Sequence, residues 1–367
     1  MVFDRPQRLV VARKAEEVRP ALEEIESARR AGSWIAGYLS YEAGYVFEEK
    51  LRPRVIDDRE TPLLAFGVFD GPAGETHPLA AEPSQIAGVG LADFRAGWNF
   101  DTYLDRFDRL HHHIRRGDCY QANLTMPINA TWSGDPRSLF WSLIEQQPAR
   151  YGALVRFGEP IVLSRSPELF FAVDRERMIE THPMKGTAAR GQTEAEDRAI
   201  VAAMLADEKT LAENRMIVDL LRNDISTVTE VGTLCVPKLF EIETYPTVHQ
   251  MVSHVRAKLL PDIGLPQIMA ALFPCGSITG APKMWAMRIL AELEQGPRDA
   301  YCGAIGWCDP TGPMQFSVAI RTISLFKDGT AVFNAGGGIV FDSTAEAEYE
   351  ECLLKARFAA GNQRISR

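Results

Sequence analysis

The sequence predicts an α/β (α+β) protein, with large mixed or antiparallel β-sheets sandwiched by helices. Three observations lead there. Short apolar, β-branched runs alternate with segments of helical spacing. Several neighbouring runs are joined by turns too short to hold a crossover helix, which favours antiparallel pairing. A chain of 367 residues, 46% of them hydrophobic, is long enough to bury a large core.

The elements follow in order. Residues 15–30 have helical spacing and end near Gly32. Trp34 to Tyr41 reads as a buried strand leading to Glu42-Ala43-Gly44, and residues 61–70 read as another. Residues 71–95 are rich in Gly, Pro and Ala and poor in pattern. They divide a shortened N-terminal subdomain (1–95) from a main domain (96–367). A helix is expected at 101–116, strands at 119–127 and 161–173, and helices at 192–205 and 207–222. Strands near 232–241 and 248–259, a helix at 266–273, a turn around Gly276 and a helix at 281–294 come next. Strands at 302–308, 314–326 and 331–335, a glycine run and a helix at 345–360 come last.

Composition excludes several classes. The net charge is −9 and no basic stripe is present, so phosphate neutralisation on a nucleic acid is not expected. No apolar run approaches the roughly 20 residues that span a bilayer, and Met1 to Pro6 does not open a signal peptide. A cytoplasmic location is expected. The six cysteines are scattered without a C-x-x-C pair, as small buried hydrophobes usually are. His111, His112 and His113 are adjacent on a helix and point in different directions, which makes a poor chelate.

Five places carry candidate chemistry. Lys185 lies in Thr181-His182-Pro183-Met184-Lys185-Gly186-Thr187, a stretch expected to be a loop where backbone and ammonium both meet a ligand. Most lysines are solvated, so this one needs company to matter. Glu213 shares a helix face with Met216, Ile217 and Leu220, and a carboxylate on an apolar stripe requires a cation, a donor or a proton. A structural ion pair and a metal ligand account for it equally well. Glu348, Glu351 and Lys355 share one face of the last helix, where the two glutamates repel unless something positive lies between them. Gly336, Gly337 and Gly338 follow a strand and expose backbone N–H groups able to cradle an anion, though a tight turn uses glycines too. Cys275 to Lys283 lacks the spacing of a nucleotide-binding P-loop, yet it opens a helix that can receive an oxyanion. A further cation, Arg321, interrupts a strand beside small residues, and its planar fork suits a carboxylate.

Taken together, Ser166-Pro167-Glu168, Met184-Lys185-Gly186-Thr187, Ala212 to Leu220, Gly276 to Lys283 and Gly337 to Ser343 stand in the order found in chorismate-utilising enzymes. Over about residues 100–360 the chain resembles that family. The resemblance implies an anthranilate synthase-like fold and a chorismate-binding catalytic domain. It implies Mg²⁺ held through Glu213, Glu348 and Glu351, with Lys355 supporting the shell. Arg321, Tyr301 and the N–H groups of the glycine run are then expected on the enolpyruvyl carboxylate, and Gly186, Thr187 and Ser277 against substrate. Glu168 matches the general acid that protonates the leaving C4 hydroxyl. Two positions depart from the pattern: Thr210 stands where an acid is usual, and Gln250 where a histidine is.

Product choice follows from two further positions. Gln121 replaces the lysine that activates water in isochorismate and salicylate synthases. Lys185 stands where anthranilate synthases carry a small residue. The resemblance implies that Lys185 attacks C2, water leaves C4, and ammonia then enters C4 as the lysine departs. The expected reaction makes 4-amino-4-deoxychorismate, toward 4-aminobenzoate and folate, with ammonia from a separate glutamine amidotransferase subunit. The alternatives are anthranilate formation and a non-catalytic scaffold of the same family.

Overall fold

A computed structural model describes residues 1–366 apart from 57–58, 75, 80–82, 84–87, 147–148 and 246–247. The chain opens with β1 (Arg8–Ala12), α1 (Ala15–Arg30), β2 (Trp34–Leu39) and β3 (Leu64–Phe69). β4 (Gly90–Ala96), α2 (Phe100–Arg115), β5 (Gln121–Ser133), α3 (Pro136–Gln146) and β6 (Tyr151–Val155) follow. Next come β7 (Ile161–Ser166), β8 (Leu169–Val173), β9 (Met178–Thr181), β10 (Met184–Ala189), α4 (Glu194–Ala206) and α5 (Glu208–Ser226). β11 (Cys235–Thr244), β12 (Val248–Lys258), α6 (Leu265–Leu272), β13 (Gly280–Ala281) and α7 (Lys283–Glu294) lead to β14 (Ala304–Cys308). The last elements are β15 (Met314–Val318), β16 (Thr322–Leu325), β17 (Thr330–Ile339) and α8 (Ala345–Ala360).

Helix starts are set locally. The Glu17 carboxylate accepts from the N–H groups of Arg13 and Lys14 at 2.8 and 3.0 Å, closing the first turn of α1. Val18, Leu22 and Ile25 then bury the inner face of that helix. Asn99 caps α2, Thr193 and Glu196 form a capping box on α4, and Asp207 caps α5. α4 buries no residue at all, so capping rather than packing defines it.

The strands form two antiparallel sheets. One runs β1-β3-β2-β14-β15-β8-β9-β12-β10, with β11 also on β12. The other runs β13-β5-β17-β16-β7-β6, with β4 also on β5. α1, α5 and α6 cover the large sheet, and α2, α7 and α8 cover the small one. Between the sheets, Tyr38, Ala65 and Ile305 of the large sheet meet Val155 and Val162 of the small one. The segment before residue 95 forms no sheet of its own, because β2 pairs directly with β14, Leu39 opposite Ala304.

Three expectations change here. Residues 314–326 are not one strand but two, β15 in the large sheet and β16 in the small, with Arg321 in the kink at φ 51°. The glycine run is the end of β17, laddered to β5 with Gly337 opposite Leu124, rather than a loop after a strand. Lys185 lies within β10, not on a loop. In each case a partner strand distant in sequence supplies the hydrogen bonds that the local pattern could not show.

The kink at Arg321 has a twin. β7 ends at Ser166 in the small sheet, and β8 starts at Leu169 in the large one. β15 pairs with β8 and β16 with β7, so two neighbouring strands change sheets at the same level. Ser166 Oγ donates to the Val318 carbonyl at 2.5 Å and accepts from Glu168 N–H at 3.2 Å. Val318 N–H donates to the Glu168 carbonyl at 3.1 Å, and Arg165 N–H to the Arg321 carbonyl at 2.9 Å. Ser166→Ala strands a buried carbonyl and a buried N–H, so denaturant unfolding is expected to show a loss of about 1–3 kcal/mol.

Candidate active site

Glu168 occupies the first sheet-changing corner. The residue is 4% exposed, and its Oε1 has no hydrogen-bond partner. Burial pushes its carboxyl up to about 7, against weaker downward pulls from the Ser277 hydroxyl and the Lys185 ammonium. A carboxyl half-protonated near neutrality can deliver a proton.

Lys185 sits on β10 where the ladder to β12 bulges, between the pairs Met184–Val252 and Thr187–Gln250. Its side chain is 17% exposed, with Nζ 3.9 Å from Glu213 Oε2 on α5. Burial lowers its pKa. Glu213 resists that shift, the nearby Lys355 ammonium adds to it, and Glu168 and Glu351 resist it more weakly. The ammonium therefore lies within electrostatic reach of four of the predicted site residues.

The glycine run allows close approach. A Cβ on Gly338 would lie 2.2 Å from Gln121 Nε2 and 3.4 Å from Lys185 Nζ. A Cβ on Gly337 would lie 2.8 Å from Glu348 Oε2 and 3.7 Å from Lys355 Nζ. Side chains from both faces of β17 thus close on one bare backbone. Lys355 also donates to the Gly336 carbonyl at 2.9 Å. β16 pairs only as far as Phe333, which leaves that edge of the run without a strand among the described residues.

The three predicted metal carboxylates each keep a partner. Glu213 faces Lys185, Glu351 holds Lys355 at 2.7 Å, and Glu348 Oε1 accepts from Ser343 Oγ at 2.7 Å. Burial and the neighbouring Glu351 raise the Glu348 pKa, while Ser343, Lys355 and Lys209 oppose the rise. Among the described residues, the three ligands within 4.8 Å of one another are instead Glu241, Glu243 and His254 on β11 and β12. That group is already claimed, by Lys238 at 2.9 Å on Glu241 and by the Tyr245 hydroxyl on Glu243.

Arg321 is mostly buried, burial lowers its pKa, and it forms no salt bridge among the described residues. A desolvated guanidinium without a counter-ion is a receptor for a carboxylate. Tyr301 is buried, and the N–H of its neighbour Cys302 bonds to the Ala319 carbonyl at 2.9 Å, which ties this stretch of backbone to the chain just before the β15–β16 kink. At the helix start at 282–283 the cation is occupied within the chain. Lys283 is spent on Asp224 at 2.5 Å and on the Leu272 carbonyl at 3.0 Å, locking the loop to α5. Ser277 of that loop reaches Glu168. Thr210 bonds its own cap, Asp207, and presses its methyl group under Gly186. Sequence reading passed over Lys209, whose only signal is proximity to Glu348 on the folded chain, and gave Ser343, the last residue of the motif that starts at Gly337, no role of its own.

The raised pKa of Glu168 has a sign. Between about 4.5 and about 7 the folded state binds a proton that the unfolded state has released, so stability falls as pH rises through that window. Glu168→Gln removes the slope. Relative to the parent chain it is expected to gain roughly 2–3 kcal/mol at alkaline pH and little at acid pH, read from paired denaturant curves.

The chain matches the family model described as chorismate binding enzyme over residues 3–361. It is 37% identical over 339 residues to aminodeoxychorismate synthase component 1 of Klebsiella aerogenes, covering 87% of this chain and 74% of that protein. The same component of Escherichia coli is 41% identical over 264 residues, covering 72% of this chain and 58% of that protein, so the match spans little over half of that relative. Anthranilate synthase component 1 of Methanothermobacter marburgensis is 35% identical over 338 residues, covering 88% and 73%. Among solved structures, anthranilate synthase component I of Streptococcus pneumoniae superposes with a TM-score of 0.81 at 26% identity, covering 97% of this chain and 92% of that one. With the family model spanning nearly the whole sequence, and its corner glutamate, strand lysine and glycine run converging in the fold, the chain belongs to the chorismate-binding enzymes.

Proposed function

We propose that the chain acts as aminodeoxychorismate synthase component 1, converting chorismate and ammonia to 4-amino-4-deoxychorismate. The observation that carries this reading is Lys185, a desolvated amine beside Gly338 and Gln121 and within reach of Glu168. The relatives bearing that name support it. Their designation as component 1 supports a second component, which we take to be a glutamine amidotransferase supplying ammonia.

Each residue then has a task. Arg321, with Tyr301 and the open edge of the glycine run, binds the enolpyruvyl carboxylate. Lys185 in its neutral form bonds to C2. The ring diene shifts and the C4 hydroxyl leaves as water, carrying the Glu168 proton. Ammonia next bonds to C4, the diene shifts back, and the C2–nitrogen bond breaks to free Lys185. Gln121 is a poor base, so water is not activated in place of ammonia. Gly186, Thr187 and Ser277 shape the wall around these groups.

Glu213, Glu348 and Glu351 offer the hard oxygen donors that Mg²⁺ takes. Bound there, the ion supplies positive charge for the ring carboxylate. Positive charge held there would add to the desolvation that lowers the Lys185 pKa.

The test is the full chain with chorismate, Mg²⁺ and ammonium chloride, products separated by chromatography. The expected main product is 4-amino-4-deoxychorismate. Anthranilate as main product overturns the reading in favour of anthranilate synthase component 1, and no turnover with intact chorismate binding identifies a scaffold. Lys185→Ala is expected to abolish the 4-amino product while chorismate still binds. The rate should rise with pH as Lys185 loses its proton and fall above about 7 as Glu168 loses its own. Glu168→Gln is expected to lower kcat by about 10²–10⁴-fold and erase the alkaline limb.

A further inference from the structure

We propose that Gln250 is a positioning residue for Lys185, clamping the β10 bulge that aims its amine. This deepens the reading of Lys185 as nucleophile and rests on it. The bulge places two residues, Lys185 and Gly186, opposite the single residue Met251. A bulge leaves backbone groups without ladder partners, and the Gly186 carbonyl is one of them. Gln250 Nε2 donates to that carbonyl at 2.8 Å. The other end of the same amide, Oε1, accepts from Thr187 Oγ1 at 2.7 Å. The amide orientation is fixed by chemistry, because a carbonyl can only accept and must therefore face the NH₂ group.

The clamp acts where the backbone is least constrained. Gly186 has φ 82°, a conformation open to glycine, and Thr210 Cγ2 fills the space where its Cβ would lie, at 2.5 Å. The bulge is thus held from below by a methyl group and across its rim by one amide. Without the amide, the extra residue can migrate along the ladder, and a one-residue slip reverses the face of every side chain it passes. Lys185 would leave its place 3.9 Å from Glu213 and beside Gly338. The neighbouring His249 cannot substitute. It faces the other way, bonded to Asp197 at 2.9 Å and Thr244 Oγ1 at 3.0 Å.

Few side chains fit both bonds. Asn is one methylene short, Glu has no donor for the carbonyl and repels it, and Leu matches the size with neither bond. The test compares Gln250→Leu, Gln250→Glu, Thr187→Val and the Gln250→Leu/Thr187→Val pair in the full chain. Two readouts are taken. Lys185 reductive methylation, followed by peptide mass spectrometry between about pH 6 and pH 10, gives the titration midpoint of that amine. Steady-state assays with chorismate, Mg²⁺ and ammonium chloride give kcat and KM.

For Gln250→Leu, kcat is expected to fall about 10–100-fold while KM for chorismate stays within about threefold, as for a displaced reacting group. The Lys185 midpoint should move by at least about half a pH unit. Gln250→Glu should fall at least as far, Thr187→Val less, and the pair no further than Gln250→Leu alone, since both remove one clamp. An unchanged Lys185 midpoint in both Gln250 variants overturns the proposal, as does additive loss in the pair. Should Gln250→Leu not fold, Gln250→Glu carries the same two readouts. The labelling midpoint does not depend on the product, so a chain found to make anthranilate would overturn the functional reading and leave this test standing.

Discussion

Two adjacent strands that leave one sheet and enter the other at the same level hold this molecule together. A strand changing sheets alone would abandon its partner and bury unpaired backbone groups on both sides. Here β7 to β8 and β15 to β16 turn together, so each sheet keeps its pairing up to the corner. The four bonds among Arg165, Ser166, Glu168, Val318 and Arg321 satisfy the backbone where the ladders part. Glu168 and Arg321 both stand at that turn. The corner therefore brings the backbones of an acid and a cation to one level of the fold before any ligand is considered.

Burial then gives those residues their chemistry. The same desolvation raises Glu168, lowers Lys185 and lowers Arg321. Each shift favours the neutral form or leaves a charge in want of a partner, and a dianionic substrate supplies what is missing. The carboxylates at Glu213 and Glu351 moderate this by sitting beside Lys185 and Lys355. Glycines at 337 and 338 remove the side chains that would otherwise keep the groups apart. Specific binding here depends on cations left under-satisfied.

Much of the architecture was legible from residue order. The spans of α1, α2, α5 and α8 follow from apolar spacing and capping residues close in sequence, and the structure places them within two residues or so at the start. The short strands β1, β6 and β9 and the helix α3 carry too little pattern to stand out, and β10 was hidden by the loop-like look of Pro183 and Gly186. The long run 314–326 misled because high β-propensity does not report which sheet a strand joins.

By itself, the sequence determined which chemical groups exist and in what order: a lysine before Gly186, a glutamate after Pro167, acids one turn apart on the last helix, and glutamine at 121. It also determined the helices, whose hydrogen bonds and caps are local. Only the tertiary structure decided that Glu168 is buried enough to keep a proton, that Arg321 shares its corner, and that Lys185 rides a bulge held by Gln250. Those facts depend on contacts between residues as far apart as Ser166 and Val318, 152 positions along the chain, and on desolvation, which belongs to the surroundings of a group rather than to the group.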